Sequence, residues 1–178
     1  MNKPKRLDRK VVYKSEWINV YTDRVQFPSG KILEEHHILD FHSQAVGVVV
    51  ENSREEVLFV QVFRYALDAV TWEIPAGRID KGESPIDAAI REVQEESGYE
   101  TSEHKLVYSF YPIDGISDEK FHIVFCKAGR RTGDFDRDEI NDIKWVHKDK
   151  LKQMIQKQEL CDGLSLSALL LYSGVSLS

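Results

Sequence analysis

The fold is decided by residues 77–99, which read GRIDKGESPIDAAIREVQEESGY. Ser84 is a residue type that caps helices, Pro85 suits the first helical position, and Gly98 suits a helix exit. Asp87, three residues after Ser84, completes an arrangement that resembles a capping box. These signals predict a helix from residue 85 to about residue 97. Apolar residues at helical spacing predict its core-facing stripe, which comprises Ile86, Ala89, Ile90 and Val93.

Three carboxylates crowd one edge of this predicted helix. Glu92 and Glu96 are four residues apart and share a face, and Glu95 lies beside them. A solvated acidic face is the plain alternative, in which like charges cost a few tenths of a kcal/mol per pair. The carboxylates border the apolar stripe, however, so we expect them at the rim of the core. Oxygen ligands in that position favour a hard divalent cation, with Mg²⁺ as the natural choice.

The loop before the helix supports the same interpretation. Pro75, Ala76 and Gly77 follow a predicted strand, and Glu83 directly precedes the cap. Backbone carbonyls and one further carboxylate can therefore face the same ion.

Together these residues resemble the Nudix box, G-x5-E-x7-R-E-U-x-E-E-x-G-U, in which U is aliphatic or apolar. The resemblance implies the Nudix α/β/α sandwich and assigns metal binding to Glu92 and Glu96, with Glu95 close by and Ala76 contributing its carbonyl oxygen. It also implies supporting roles for a further set of residues: Arg91 orients the glutamates, and Glu83, Gly77 and Gly98 shape the loop and helix ends.

The family mechanism implied here is attack of a metal-activated water on one phosphorus of a pyrophosphate. Catalysis then rests on positioning and electrostatics, with Glu92, Glu95 and Glu96 at its centre. The expected cofactor is Mg²⁺, with Mn²⁺ as a substitute. The expected substrates are nucleoside diphosphate derivatives.

The flanks of the box resemble the ADP-ribose pyrophosphatase branch of that family, which splits ADP-ribose into AMP and ribose 5-phosphate. The similar segments are QVFRY at 61–65, WEIPAG at 72–77 and YPIDGISDE at 111–119. The substrate-binding residues that this implies are Arg64, Trp72, Glu73, Asp114, Ser117 and Glu119. An arginine in a surface salt bridge and a tryptophan in the core are the alternatives for Arg64 and Trp72.

One departure from the branch affects the expected substrate. Asp114 stands where the branch usually has a proline, and Ile113 replaces a serine. Other nucleoside diphosphate sugars such as GDP-mannose therefore stay open, as do NADH and dinucleoside polyphosphates. A non-catalytic sensor of nucleotide sugars is the alternative outside enzymes, although the intact glutamates argue against it.

A second acidic cluster, Asp134, Asp136, Asp138 and Glu139, precedes a predicted strand. Related enzymes carry a mobile loop there that supplies a further carboxylate, which could take the proton from the attacking water. We favour Glu139 for this role over Asp138 and Asp136. A solvated acidic loop is the alternative.

Patterning elsewhere predicts an α+β domain. A hairpin is expected at 17–27 and 32–41, followed by strands at 45–50, 57–63 and 71–74. Further strands are expected at 104–111, 119–128 and 143–146, and helices at about 148–157 and 164–173. We expect residues 1–42 to form a β-rich extension and residues 43–178 the Nudix domain, as one folding unit. The extension is a predicted dimerisation element, since the branch is typically homodimeric.

Composition limits the other classes of function. The 178 residues, 42% of them apolar, can bury one sizeable core. The formal net charge of −6 argues against a nucleic-acid surface. No apolar run approaches the roughly 18 residues of a membrane span, so we expect a cytoplasmic protein without a membrane partner. The N-terminal segment is basic, with Lys3, Lys5, Arg6, Arg9 and Lys10. We expect a frayed, solvated end, and a polybasic targeting arm is the alternative.

Overall fold

The computed structural model describes residues 2–174 and contains ten strands and three helices within them. The strands are β1 Lys5–Lys14, β2 Ile18–Gln26, β3 Ile32–Phe41, β4 Ala45–Glu51, β5 Glu56–Arg64, β6 Ala69–Glu73, β7 Ala76–Arg78, β8 Tyr99–Phe110, β9 Phe121–Arg131 and β10 Ile140–His147. The helices are α1 Pro85–Ser97, α2 Lys148–Gln156 and α3 Gly163–Ser173, and a 3₁₀ turn covers Tyr65–Leu67. No helix among these residues is long and apolar enough to span a membrane.

The chain divides into two compact units. The first unit comprises Met1–Gln44 together with Tyr111–Lys120. It contains a three-stranded antiparallel sheet in the order β1-β2-β3. The later segment joins this unit through Leu39, whose backbone N–H donates to the carbonyl of Ile116 at 2.8 Å.

Residues 5–14 form an ordered strand, so the prediction of a frayed, solvated end was wrong for them. Strand β1 pairs with β2 along most of its length, from Lys5 opposite Gln26 to Lys14 opposite Asn19. Arg9 gives a physical reason, because its guanidinium donates two hydrogen bonds to buried Asp23, at 2.7 and 2.8 Å. Its guanidinium carbon also lies 4.4 Å from the ring centroid of Tyr21. Arg9, one of the basic residues of this segment, is therefore held by side chains of the neighbouring strand.

The second unit, Ala45–Phe110 with Phe121–Ser178, is built on a mixed seven-stranded sheet. Five strands run in the order β10-β5-β4-β9-β8, with β6 beside β5 and β7 beside β4. Strands β4 and β9 are parallel, and the other pairs are antiparallel. The predicted α+β class, with a mixed central sheet and an antiparallel N-terminal region, is confirmed.

Strand β4 shows how this sheet supports a layer of helix on each face. Successive side chains of a strand point to opposite faces. Val46, Val48 and Val50 belong to a buried cluster with Ala89 and Val93 of α1. Val49 belongs to another buried cluster, whose helical members are Leu151 of α2 and Leu164, Ala168 and Leu169 of α3. Both faces of the sheet are thus covered, as expected for an α/β/α sandwich.

Helix α1 begins and ends at the predicted residues. The Ser84 hydroxyl accepts a hydrogen bond from the Asp87 backbone N–H at 3.2 Å, and Gly98 closes the helix at φ 73°. The predicted apolar stripe needs one correction, because Ile90 is exposed whereas Ala88 is fully buried. The buried face is therefore rotated slightly, toward Glu92 and Glu96.

Candidate functional site

Both predicted metal-binding carboxylates are buried on the inner face of α1. Glu92 is 9% exposed and Glu96 is 8% exposed, one helical turn apart. Charged carboxylates are rarely buried without a partner. Their burial therefore calls for compensation by hydrogen bonds, protons or a cation.

Both carboxylates lie against the short strand β7. A Cβ atom added to Gly77 would sit 2.0 Å from Oε1 of Glu92, so only glycine allows this approach. The Ala76 backbone N–H donates to Oε2 of Glu96 at 3.1 Å. The structure thus brings Ala76, Gly77, Glu92 and Glu96 together, although they come from a strand and a helix separated by a loop.

Arg91 connects this site to the loop before the helix. Its guanidinium donates to both carboxylate oxygens of Glu83 at 3.0 and 2.9 Å, and to the Arg78 carbonyl at 2.8 Å. It also donates to Glu92 at 2.8 Å and to Glu95 at 3.1 Å. The Glu83 bonds, more than any other contact, raise the already high pKa of Arg91. Arg91 therefore fixes one oxygen of Glu92 and spans the two ends of the loop.

The electrostatics of the two buried carboxylates differ. Burial raises the pKa of Glu92, while Arg91 opposes the rise and the charges on Glu95 and Glu139 add to it. Burial also raises the pKa of Glu96, to about 8, with the Ala76 N–H opposing and Glu92 reinforcing the rise. Within residues 2–174, no cationic side chain bonds Glu96 in the way that Arg91 bonds Glu92. Ionisation of both carboxylates in this buried site is therefore unfavourable without a cation, and a divalent cation would stabilise their charged forms.

The donor set fits a small, hard cation that keeps part of its hydration shell. Among residues 2–174, no group of three or more histidine, cysteine or acidic side chains is arranged as a cage for a metal ion. Mg²⁺ is usually bound by one or two carboxylates, with waters and substrate phosphates completing its octahedron. Glu92 and Glu96 supply such a pair. Ala76, whose carbonyl is the third predicted ligand, lies on β7, the strand that both carboxylates contact.

Arg64, predicted to contact substrate, is paired with Glu73, while 48% of its side chain stays exposed. Its Nε donates to Glu73 at 2.8 Å, and a second guanidinium nitrogen bonds the other oxygen of the same carboxylate. Glu73 is 3% exposed and also accepts from the Thr71 hydroxyl at 2.6 Å. Burial raises the pKa of Glu73, but the bonds from Arg64 and Thr71 outweigh it and the net shift is downward. Two of the three guanidinium nitrogens of Arg64 are thus bonded to Glu73.

Asp162 was not foreseen as part of this region. Its Oδ1 accepts the Ser165 backbone N–H at 2.7 Å, which caps α3, while its Oδ2 is buried without a hydrogen bond among the described residues. Burial raises its pKa, which the negative charge of Glu73 raises further. An aspartate two residues before the predicted helix 164–173 is the available sequence signal, and it indicates a cap rather than a neighbour of Arg64.

Trp72, also predicted at the substrate, is half-buried. It packs against the cluster that contains α2 and α3 residues. The Lys144 ammonium lies 3.9 Å from the ring centroid. One face of the indole is therefore covered by a cation, so a stacked base would have to use another part of the ring.

The acidic loop between β9 and β10 contains carboxylates with different surroundings. Asp134 pairs with Arg131 and Arg137, and Asp136 accepts the backbone N–H of Asp138. Glu139 is exposed, and no side chain in the described part of the chain forms a hydrogen bond or ion pair with it. The negative charge of Glu139 nevertheless acts on both Glu92 and Glu96, raising their pKa values.

The remaining predicted substrate residues belong to the first unit. Asp114 is exposed, Ser117 is buried and Glu119 is half-buried. The Ser117 hydroxyl accepts the Glu119 backbone N–H at 3.0 Å, which shapes the segment locally. Their contact with substrate stays a prediction.

Comparison with known proteins identifies the family. A model of the NUDIX domain matches residues 41–162. The chain belongs to the Nudix family. The matched range contains all of the box and its acidic helix, together with the loop that carries Glu139.

Two curated relatives and one solved structure are similar to this Nudix chain over most of its length. It is 26% identical over 168 residues to the ADP-ribose pyrophosphatase of Bacillus subtilis, covering 93% of this chain and 90% of the relative. It is 28% identical over 160 residues to the methanol dehydrogenase activator of Bacillus methanolicus, covering 88% and 85%. The crystal structure of an ADP compounds hydrolase matches with a TM-score of 0.87 at 19% identity, over 98% of this chain and 94% of that chain. At that identity the structural likeness shows the fold alone.

Proposed function

We propose that the protein hydrolyses the pyrophosphate bond of nucleoside diphosphate derivatives, with ADP-ribose as the first candidate and other nucleoside diphosphate sugars next. The observation that carries this proposal is the pair of buried carboxylates, Glu92 and Glu96, held against β7. A relative named ADP-ribose pyrophosphatase that aligns over nearly the whole chain supports the substrate class.

Nudix hydrolases generally use a divalent metal, and we propose Mg²⁺ here, with Mn²⁺ as a substitute. Glu92, Glu96 and the Ala76 carbonyl would hold it. When bound, the metal would neutralise phosphate oxygens and lower the pKa of the attacking water. Arg91 keeps the Glu92 carboxylate in place through its 2.8 Å bond, and Glu95 shares the same guanidinium at 3.1 Å.

In the proposed reaction, a water oxygen forms a bond to one phosphorus while the bond from that phosphorus to the bridging oxygen breaks. We assign the acceptance of the water's proton to Glu139, which is exposed and unpaired among the described side chains and acts electrostatically on Glu92 and Glu96. Within the second unit, Arg64 would contact a phosphate through the part of its fork that Glu73 leaves unbonded. Trp72 and Glu73 would complete the substrate surroundings there.

A substrate panel tests this function. Phosphate release should be measured with a coupled phosphatase and Mg²⁺ across ADP-ribose, GDP-mannose, other nucleotide sugars, NADH, a dinucleoside polyphosphate and dGTP. We expect turnover of ADP-ribose or another nucleotide sugar to exceed that of NADH and dGTP. A preference for dGTP would contradict the proposed branch. Tight binding of ADP-ribose without turnover of any compound would instead indicate a sensor.

We further propose that two copies of the chain associate. Each unit exposes large apolar side chains, which soluble monomers rarely do over contiguous areas. Those of β1 include Val11, Val12 and Tyr13, with Val12 57% exposed. Those near the β5–β6 connection are Phe63, Tyr65, Leu67 and Val70, with Tyr65 91% exposed. A second copy is the occupant that the resemblance to a typically dimeric branch favours.

Sedimentation equilibrium at micromolar concentration should show a dimer. Val12→Asp places a charge on the exposed face of β1 and should weaken association at least about tenfold, because a buried unpaired charge costs several kcal/mol at an interface. Leu106→Asp is the matched control, since it charges an exposed apolar position on β8 outside both groups. A wild-type monomer, or equal effects of both substitutions, would contradict the proposal.

A further inference from the structure

The loop 132–139, which carries Glu139, is fastened to the C-terminal end of α1. The backbone N–H groups of Thr132 and Gly133 donate to the Gly98 carbonyl at 2.9 and 3.3 Å. The Asp136 N–H donates to the Glu95 carbonyl at 3.0 Å. The carbonyls at a helix end lack partners within the helix, so the loop satisfies acceptors that would otherwise need water. The loop is thus bound to the helix that bears Glu92 and Glu96.

Gly98 makes this close approach possible. A Cβ atom at Gly98 would lie 2.2 Å from the Gly133 carbonyl oxygen and 2.6 Å from its carbon. Those are backbone atoms, which cannot rotate away as a side chain can. The last glycine of the box therefore has a second role besides its positive φ, which is to admit the loop.

Glu139 lies within a turn that is held at both ends. The Ile140 N–H donates to the Asp136 carbonyl at 2.8 Å, closing the turn 136–140, and the Asp138 N–H donates to Oδ1 of Asp136 at 2.9 Å. Asp136 is bound to α1, as described above, and Ile140 is fully buried at the start of β10 opposite Val62. The backbone on both sides of Glu139 is therefore hydrogen-bonded or buried in this structure.

The side chain that seats this loop on the sheet is Phe135. It packs against an apolar cluster formed by Val60, Val62 and Ile140. The guanidinium carbons of Arg137 and Arg131 lie 5.1 and 5.9 Å from its ring centroid. Asp134 bonds both arginines, at 2.8 and 3.1 Å. Such exposed ion pairs contribute at most about 1 kcal/mol, so the apolar packing of the ring is the main anchor and the arginines cover it.

We propose that Phe135 is a positioning residue for Glu139. Its ring fixes the start of the turn 136–140 against the sheet, while the Glu95 and Gly98 carbonyls fix the loop against α1. The backbone of Glu139 is thereby held in place relative to the helix that bears Glu92 and Glu96. The inference rests on the proposed function, in which Glu139 accepts the proton from water.

The test is a double-mutant cycle between Phe135 and Glu139. Phe135→Ala should lower kcat about tenfold with KM unchanged, because displacing a reacting group by about 1 Å can cost about 100-fold. Phe135→Leu, which retains apolar packing, should recover most of that loss. In the Glu139→Gln background, Phe135→Ala should lower kcat no further, since the group that it positions is already gone.

Tyr108→Ala is the matched control, because it removes an exposed aromatic ring from β8 outside the loop. It should leave kcat unchanged. Multiplicative losses in the cycle, or an unaffected kcat in Phe135→Ala, would overturn the positioning role. If Glu139→Gln is fully active while Glu96→Gln is inactive, Glu139 is not the base. That result would overturn the positioning role of Phe135 but not the proposed hydrolase function. Full activity of both glutamate variants would overturn the proposed function itself.

Discussion

Glu96→Gln should leave the protein folded and lower kcat on its best substrate by on the order of 100- to 1,000-fold, because a catalytic metal site contributes several kcal/mol to transition-state stabilisation. Glutamine keeps the size of the side chain but removes the negative charge that a divalent cation requires. Turnover should be measured at saturating substrate over a Mg²⁺ titration. The required Mg²⁺ concentration should rise along with the loss of kcat.

The fold of this variant is expected to survive for an electrostatic reason. Burial raises the pKa of Glu96 to about 8, so the metal-free protein favours the neutral form that glutamine imitates. Thermal unfolding in EDTA should therefore show no loss of stability. Glu103→Gln, on exposed β8, is the matched control and should keep full turnover. Unchanged turnover in Glu96→Gln would mean that the acidic face is only a scaffold.

Gly77→Ala should lower kcat/KM on the order of 100-fold, since displacement of a catalytic group by about 1 Å can have that effect. The added methyl group would overlap the Glu92 carboxylate, with its oxygen at 2.0 Å and its carbon at 2.1 Å. The side chain would have to move away from β7, and its 2.8 Å bond to Arg91 would be disturbed. Steady-state kinetics and Mg²⁺ dependence measure the effect.

Gly163→Ala provides the matched control for this substitution. An added Cβ there meets no atom within 4 Å, and the position opens helix α3 without a positive φ. It should be neutral or slightly stabilising, because alanine favours a helix over glycine by up to about 1 kcal/mol. Normal kinetics in a folded Gly77→Ala protein would show that the observed position of Glu92 is not needed for turnover.

Local signals in the sequence predicted the regular elements well. Helix α1 was predictable because its cap, its first-turn proline and its closing glycine lie within a few residues of one another. The late helices and most strands also followed from local periodicity. Strand β1 was missed because its stabilising partners, such as Asp23 for Arg9, lie across the sheet and not nearby in sequence.

The candidate site was predictable only where spacing along one helix defines it. Glu92 and Glu96 share a face by helical geometry, and Arg91 adjoins them in sequence. Other contacts depend on strand order and on how loops pack against the sheet and helices. They are the pairing of Arg64 with Glu73, the position of the Lys144 ammonium over the Trp72 ring, and the attachment of loop 132–139 to α1. A sequence without its fold does not determine such contacts, because each joins separate elements.

The most direct test of the central claim is product analysis with ADP-ribose. Purified protein should be incubated with ADP-ribose and Mg²⁺, and the nucleotides separated by chromatography. We predict AMP and ribose 5-phosphate from the wild type, with neither product in EDTA and only traces from Glu96→Gln. Equal product formation in EDTA, or by Glu96→Gln, would contradict a metal-dependent pyrophosphohydrolase centred on Glu92 and Glu96.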